Sequence, residues 1–180
     1  MLTTNQKGML AEIAVVKEAV KLGIVVARPL SDARYDLILD LEHTLLRVQC
    51  KWAVRHGEVV VVRCRTCRRG RHGLIHRPYA AGEIDAIAAY CDEIDQCYLL
   101  PLELSVDRAA VQLRLAPPLN NQKAGINWAR DFEFGATVRR LHGPIAQLGE
   151  RVHGMHEAAG SSPAGSIPER PANAGLRSLW

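Results

Sequence analysis

The chain has 180 residues, of which 48% are hydrophobic and 23% charged, and its formal net charge is +4. This composition supplies a full core for one globular domain and shows no charge-rich disordered stretch before the tail. No apolar run reaches the roughly 20 residues of a membrane-spanning helix. Residues 1–7 are polar and lack the apolar segment of a signal peptide, so we expect a cytoplasmic protein without membrane contact.

The first predicted element is an amphipathic helix over residues 5–22. Its apolar stripe at helical spacing consists of Met9, Ile13, Val16 and Val20. We expect this stripe to pack on a sheet. Glu12 would border that face, because it lies three residues after Met9 and four before Val16. A solvated carboxylate is the usual role of an isolated helical Glu and stays open here.

A short strand over residues 24–28 comes next, and a hairpin follows it. The turn of the hairpin lies at 41–44, and its strands carry Arg34-Tyr35-Asp36 and Val48-Gln49-Cys50-Lys51-Trp52. This register pairs Asp40 with Leu45 and Ile38 with Arg47, which places Asp36 opposite Gln49. Because residues two apart share a face of a strand, Gln49 and Lys51 point the same way.

The polar groups of this hairpin suit phosphodiester cleavage. Oxygen ligands for Mg²⁺ would come from the Asp36 carboxylate, the Gln49 side-chain carbonyl and the Cys50 backbone carbonyl. Lys51 supplies a compact fixed cation for the attacking water or the scissile phosphate. The competing interpretation is an ordinary hairpin with a solvent-facing polar pair and an edge-strand lysine.

A basic segment follows the hairpin. Its arginines are Arg55, Arg63, Arg65, Arg68, Arg69, Arg71 and Arg77, with Glu58 as the one acid between Lys51 and Arg77. Residues 58–63 predict a buried strand, and the stretch after it is predicted to be a loop or ribbon that enters a DNA groove. Arginines can contact both guanine edges and phosphates. A nonspecific basic surface is the alternative.

Five cysteines in a chain without a secretory signal predict reduced thiols rather than a disulfide framework. Cys64 and Cys67 form a CxxC motif, and His72 and His76 follow it. The segment between these pairs is shorter than zinc fingers use, so we expect an unmetallated basic loop rather than a zinc site at Cys64 and Cys67.

The remaining elements complete an α/β pattern. A helix is predicted over 82–90, strands over 96–100 and 110–115, and a helix-like piece over 126–132. Near the end of this pattern lie Trp128, Phe132 and Phe134, which we expect to seal the core or to pack against a second subunit. The order of elements favours an α/β sandwich with a mixed central sheet flanked by helices.

The domain is predicted to occupy residues 1–140 and a disordered tail residues 141–180, where the sequence turns rich in Gly, Pro, Ser and Ala. Segments 143–151 and 160–163 resemble a reading frame that runs through the D arm and the T arm of a tRNA gene. Residues 143 to about 170 would then be read-through of neighbouring tRNA DNA. A disordered interaction tail is the competing interpretation.

The hairpin, together with three flanking segments and Trp128, resembles the PD-(D/E)XK nuclease superfamily, and within it the group I intron-associated homing endonucleases. The flanking segments are Gly8–Glu12, Asp85–Cys91 and Leu115–Gln122, so that the resemblance spans about residues 1–134. Tyr35 replaces the signature proline, and Gln49 replaces the last carboxylate, as it does in the intron-associated branch.

The resemblance implies a restriction-endonuclease-like core and adds Glu12 to the metal site. It also implies double-stranded DNA as substrate, Mg²⁺ with Mn²⁺ as a substitute, and a homodimer or homotetramer. We therefore predict a Mg²⁺-dependent, sequence-specific DNA endonuclease of the homing type. Two alternatives stay open: a junction resolvase of the same superfamily, and a non-catalytic DNA-binding module with a decayed site.

Overall fold

The computed structural model describes residues 1–71, 73–118 and 124–141. These residues form a seven-stranded mixed sheet flanked by helices, together with a separate two-stranded ribbon. The predicted α/β class with a mixed central sheet is therefore confirmed. All of the described residues belong to one compact unit, Met1–Pro144, and the predicted tail lies outside them from residue 142 onward.

Three helices and nine strands make up the described part of the chain. The helices are α1 (Thr4–Lys21), α2 (Leu102–Ser105) and α3 (residues 134–141). The strands are β1 (Val25–Ala27), β2 (Leu37–Asp40), β3 (Leu45–His56), β4 (Val59–Arg63), β5 (Arg65–Gly70), β6 (Gly73–Pro78), β7 (Ala86–Cys91), β8 (Gln96–Pro101) and β9 (Ala110–Arg114). Short 3₁₀ turns lie at Asp92–Ile94 and Ala129–Phe132. Among the described helices, none is long and apolar enough to cross a membrane.

Helix α1 begins where local hydrogen bonds favour it. The Thr3 side chain accepts a hydrogen bond from the Gln6 backbone N–H, and the Gln6 side chain accepts one from the Thr3 backbone N–H. This reciprocal pair satisfies two N–H groups that have no partner within the helix. The predicted helix over 5–22 is thus confirmed.

The predicted packing face of α1 is wrong. Of the expected stripe, Met9, Ile13 and Val20 are exposed, with 62%, 52% and 63% of their surface accessible, and Val16 is only partly buried. The buried face instead carries Ala11, Val15 and Ala19. Small side chains allow the helix backbone to approach the sheet closely, so the stripe of larger residues faces solvent.

The hairpin register is confirmed. Asp40 pairs with Leu45, Ile38 with Arg47, and Leu37 with Val48. The backbone N–H of Asp36 donates to the carbonyl of Val48 at 2.9 Å, which extends the pairing by one step toward Gln49. The strands predicted at 24–28, 58–63, 96–100 and 110–115 also form, as β1, β4, β8 and β9.

The helix predicted over 82–90 is wrong, because Ala86–Cys91 forms strand β7. Strand β7 runs parallel to β3 and antiparallel to β8, and five of its six residues are buried. A strand covered on both faces shows no alternation of apolar and polar residues. The alanine-rich sequence of β7 therefore resembled that of a helix, which is why a helix was predicted.

Two hydrophobic clusters cover the two faces of the sheet. One packs Val15 and Ala19 of α1 and Phe134 and Val138 of α3 against the sheet. The other gathers buried residues of β3, β4, β7, β8 and β9 with Tyr79, Ile84, Leu102 and Ala129. Phe134 is buried and Phe132 packs against the second cluster, so these two aromatics seal the core as expected.

The basic segment after β4 forms the ribbon that was predicted. Strands β5 and β6 pair antiparallel from Arg65 opposite Pro78 to Gly70 opposite Gly73, as a sheet of their own. The backbone N–H of Cys64 bonds to the carbonyl of Ala109 at 3.0 Å, which joins the base of the ribbon to the main sheet.

Candidate active site

Asp36 and Gln49 meet across the start of the β2–β3 hairpin. The Oδ2 atom of Asp36 accepts a 2.7 Å hydrogen bond from the backbone N–H of Cys50 and a second bond from the Gln49 side-chain amide. Burial raises the pKa of Asp36, although the Cys50 N–H and the nearby Lys51 partly oppose this shift. The structure thus brings together the acid and the amide that the sequence placed opposite each other.

Glu12 reaches the same region from α1. Its carboxylate forms a 3.0 Å ion pair with Arg28, just after β1, and its side chain keeps 27% of its surface exposed. Burial and then the negative charge of Asp36 raise the pKa of Glu12, whereas Arg28 lowers it. Glu12 therefore lies within electrostatic range of Asp36, with Arg28 as its present partner.

Lys51 lies two residues after Gln49, on the same face of β3. Burial, and to a smaller extent Arg34, lower its pKa, while Asp36 raises it. The ammonium nitrogen lies 5.2 Å from the centroid of the Tyr79 ring, a distance at which a cation and an aromatic face attract. Lys51 is thus a half-buried cation held between a carboxylate and an aromatic ring.

The donor set fits a hard divalent cation. Asp36 and Glu12 offer carboxylate oxygens and the Cys50 backbone a carbonyl oxygen, the donors that Mg²⁺ prefers. The Gln49 amide donates its N–H to Asp36, and it would offer its oxygen to a metal once the amide turns over. Burial raises the pKa of both acids, and the charge of Asp36 raises that of Glu12 further, so a bound cation would offset the cost of these negative charges. Among the described residues no group of three or more His, Cys, Asp and Glu could hold a metal, which leaves the amide and backbone oxygens to complete such a site.

Four residues of this region were not singled out from the sequence: Arg28, Arg34, Tyr79 and Glu83. Arg34 contacts the Tyr79 ring at 4.8 Å and forms a 3.3 Å ion pair with Glu83. Of these four, only Arg34 lies close in sequence to a predicted site residue, two positions before Asp36. The others come from separate segments whose approach depends on the sheet.

A second ion pair braces the hairpin beside the site. Arg47 contacts both carboxylate oxygens of Asp85 at 2.7 and 3.0 Å, and its backbone N–H donates to the same carboxylate at 2.7 Å. The Arg47 side chain also bonds to the carbonyl of Gly82. These bonds hold β3, two residues before Gln49, to the segment that leads into β7.

The predicted DNA-binding arginines separate into two places. Arg55 lies near the end of β3, where it bonds to the Gly57 carbonyl at 2.7 Å and to Glu58 at 3.1 Å. The others lie at the end of β4 or on the ribbon, namely Arg63, Arg65, Arg68, Arg69, Arg71 and Arg77. Arg63 and Arg71 are exposed, Arg77 pairs with Glu83, and the side chains of Arg68 and Arg69 lie outside the described part.

The absence of zinc at the CxxC motif stays a prediction. Cys64 is only 2% exposed, and its thiol donates to the carbonyl of Val62 at 3.4 Å. Burial raises the pKa of this thiol, which disfavours the thiolate that zinc requires. His72 and the side chain of Cys67 lie outside the described residues.

Comparison with known proteins places the chain in a family. A family model described as PD-(D/E)XK endonuclease matches residues 2–135. A solved structure of a bacterial homing endonuclease, I-Ssp6803I, matches with a TM-score of 0.61 and 26% sequence identity, covering 83% of this chain and 97% of that one. Comparison with curated proteins found no significant match. The chain belongs to the PD-(D/E)XK endonuclease family.

Proposed function

We propose that this endonuclease is a Mg²⁺-dependent, sequence-specific enzyme of the homing type that hydrolyses phosphodiester bonds of double-stranded DNA, with Mn²⁺ as a substitute metal. The observation that carries the proposal is the contact of Asp36 with Gln49 and Cys50, beside the half-buried Lys51. A metal nuclease needs oxygen ligands for its metal and a fixed cation near the phosphate, and a carboxylate, carbonyl oxygens and a lysine supply these groups here.

Each group of the site has a part in this reaction. Asp36, Gln49 and the Cys50 carbonyl would hold the metal, with Glu12 as a fourth ligand once it leaves Arg28. The metal, when bound, supplies a Lewis acid and lowers the pKa of bound water. Lys51 binds a phosphate oxygen and stabilises the negative charge that develops there. Because burial lowers the pKa of Lys51, its ammonium group releases a proton more readily than a solvated lysine and also suits proton exchange with the attacking water.

The exposed arginines support DNA as the substrate. Arg63 and Arg71 are exposed, the first at the end of β4 and the second at the ribbon turn. Arginines on a projecting ribbon can reach base edges, while those nearer its base bind phosphates. We therefore assign sequence recognition to the ribbon and cleavage to the β2–β3 hairpin.

The homing role rests on similarity. The chain resembles I-Ssp6803I over most of both lengths, and its predicted tail reads like translated tRNA-gene DNA. Both features agree with an enzyme encoded by a mobile element that is inserted in or beside a tRNA gene.

We also propose that the enzyme acts as a homodimer or homotetramer. The exposed stripe of Met9, Ile13 and Val20 on α1 supports this proposal, because apolar residues grouped on one exposed face commonly mark an interface. Light scattering would give the mass of the wild type and of Ile13→Glu. We expect a multiple of the 19.9 kDa chain for the wild type and a smaller mass for the variant. A monomeric wild type would contradict the proposal.

Sequence-specific cleavage can be tested with a library of random duplexes and of tRNA-gene fragments, digested with Mg²⁺ and sequenced at the new ends. We expect ends that cluster within one recognition sequence. Ends scattered over all duplexes would contradict sequence specificity. Preferential cutting of a four-way junction, included in the same digest, would indicate a resolvase instead.

A further inference from the structure

Tyr79 lies beside two cations, Lys51 of the candidate active site and Arg34. Its ring centroid is 5.2 Å from the Lys51 ammonium nitrogen and 4.8 Å from the Arg34 guanidinium carbon. The residue is only 6% exposed and belongs to the hydrophobic cluster of β3, β4 and β7. An aromatic ring within about 6 Å of a cation attracts it, and more strongly where water is excluded. The ring therefore restrains the position of Lys51.

The hydroxyl of Tyr79 has no hydrogen-bond partner although it is buried. Leaving a buried hydroxyl without a partner is unfavourable, and such groups are rare in folded proteins. Burial raises the pKa of this hydroxyl, the charges of Asp36 and Glu83 add to the rise, and Arg34 partly opposes it. The hydroxyl thus stays protonated at neutral pH and is available as a donor near the candidate metal ligand Asp36.

Arg34, the second cation at the ring, is itself held by several hydrogen bonds. Its guanidinium donates to Glu83 at 3.3 Å, to the carbonyl of Pro78 at 3.1 Å and to the Thr66 hydroxyl at 3.4 Å. Thr66 and Pro78 lie at the base of the ribbon, next to Tyr79 itself. The ring is consequently held in place by the same contacts that attach the ribbon to the catalytic hairpin.

We propose that Tyr79 is a further residue of the active site: its ring positions Lys51, and its hydroxyl donates a hydrogen bond to a phosphate oxygen of the bound DNA strand. This inference rests on the proposed nuclease function. A phosphodiester fits the chemistry because its oxygens only accept hydrogen bonds, while Lys51 and Arg34 flank the ring with positive charge. A cationic or apolar ligand group has no such acceptor and would leave the hydroxyl unsatisfied.

The hydroxyl is tested with Tyr79→Phe, which keeps the ring, and with Tyr98→Phe as the matched control. Tyr98 is a buried tyrosine of the same cluster, 1% exposed, and the groups that act on its pKa are Cys91, Cys97, Glu133 and Arg55 rather than Lys51. We expect Tyr79→Phe to lower the single-turnover cleavage rate at saturating DNA about tenfold, with the DNA Kd changed less than twofold. Tyr98→Phe should cut within twofold of wild type. A wild-type rate for Tyr79→Phe would overturn the role of the hydroxyl.

The ring is tested without relying on cleavage. The chain has five lysines, so the side-chain methylene signals of Lys51 can be followed by NMR in selectively labelled protein and assigned with Lys51→Arg. We expect the ring-current shift of these signals to persist in Tyr79→Phe and to disappear in Tyr79→Leu. An unchanged Lys51 shift in a folded Tyr79→Leu would overturn the positioning role. A wild type that does not cut DNA would defeat the proposed function and the role of the hydroxyl, whereas the NMR result would still decide the role of the ring.

Discussion

The backbone N–H of Cys50 donates a 2.7 Å hydrogen bond to Oδ2 of Asp36. This bond joins the residue just before β2 to the middle of β3, and it orients a carboxylate whose pKa is nevertheless raised by burial. An acid that is both oriented and costly to ionise is stabilised when a cation binds. The metal binding that we propose would therefore offset the cost of burying the charge of Asp36.

The first prediction concerns Asp36→Asn in the absence of metal. The folded pKa of Asp36 is raised, so the folded state holds the proton more tightly than the unfolded state. Stability is therefore highest below the unfolded pKa of about 3.9 and is lost as the pH rises through the folded pKa. Asparagine carries no charge and keeps an oxygen for the Cys50 N–H. At pH 7 in EDTA we expect a Tm about 2–4 °C above wild type, and near pH 3 we expect no difference.

Thermal unfolding with and without Mg²⁺ checks this prediction. Saturating Mg²⁺ should raise the Tm of the wild type and leave Asp36→Asn unchanged. Asp32→Asn, a change at an exposed aspartate, is the control and should behave as wild type. A lower Tm for Asp36→Asn at pH 7 would mean that the charged carboxylate stabilises the metal-free fold.

The second prediction concerns the ion pair of Glu12 with Arg28. Arg28 forms an ion pair with the Glu12 carboxylate and adds positive charge near Asp36. It would therefore compete with a bound metal cation. Arg28→Ala should lower the Mg²⁺ concentration for half-maximal cleavage about two- to fivefold. The control, Lys17→Ala, removes a cation of α1 that pairs with Asp95 at 3.9 Å, and it should have no effect. A higher Mg²⁺ requirement in Arg28→Ala would show that Arg28 supports the metal site.

The third prediction concerns the ion pair between Arg47 and Asp85. Asp85→Ala removes three hydrogen bonds from a partly exposed pair, and we expect a loss of about 1–2 kcal/mol, or about 3–6 °C in Tm, at pH 7. Arg47 lowers the pKa of Asp85, so this contribution should fade as the pH falls below about 4. Glu58→Ala breaks the exposed ion pair with Arg55 and should change the Tm by less than about 1 °C. Equal Tm losses in the two variants would argue that the Arg47–Asp85 ion pair stabilises the fold no more than an exposed ion pair does.

The fourth prediction separates phosphate contacts from base contacts. Arg63→Ala, at the end of β4, should weaken binding to all duplexes equally and reduce the slope of log K against log salt by about one. Arg71→Ala, at the ribbon turn, should relax the choice of base at one position of the recognition sequence. Arg130→Ala, at an arginine that is 77% exposed beyond β9, is the control and should match wild type. A uniform loss in both test variants would contradict base reading by the ribbon turn.

The hairpin could be predicted from the sequence because its register depends on local facts. A turn at 41–44 and the two-residue period of strands are enough to place Asp36 opposite Gln49. The ribbon followed from the same kind of local pattern. These elements carry most of the candidate site, so its main residues were accessible without a structure.

The errors arose where packing partners decide the outcome. Residues 86–91 have a helix-like composition but insert between β3 and β8, and only a strand can satisfy both neighbours there. On α1, close approach to the sheet selected Ala11, Val15 and Ala19 over the larger residues of the stripe. Tyr79 was missed because nothing near it in the chain signals its contact with Lys51.

The most direct test of the central claim is cleavage of supercoiled plasmid carrying tRNA-gene DNA by wild type and Lys51→Ala, each with Mg²⁺ or EDTA. We predict discrete cutting by the wild type with Mg²⁺ only, and a loss of at least about a hundredfold in Lys51→Ala with DNA binding retained. Cutting that persists in Lys51→Ala, or that needs no divalent metal, would contradict the assignment of this site as a metal-dependent nuclease centre.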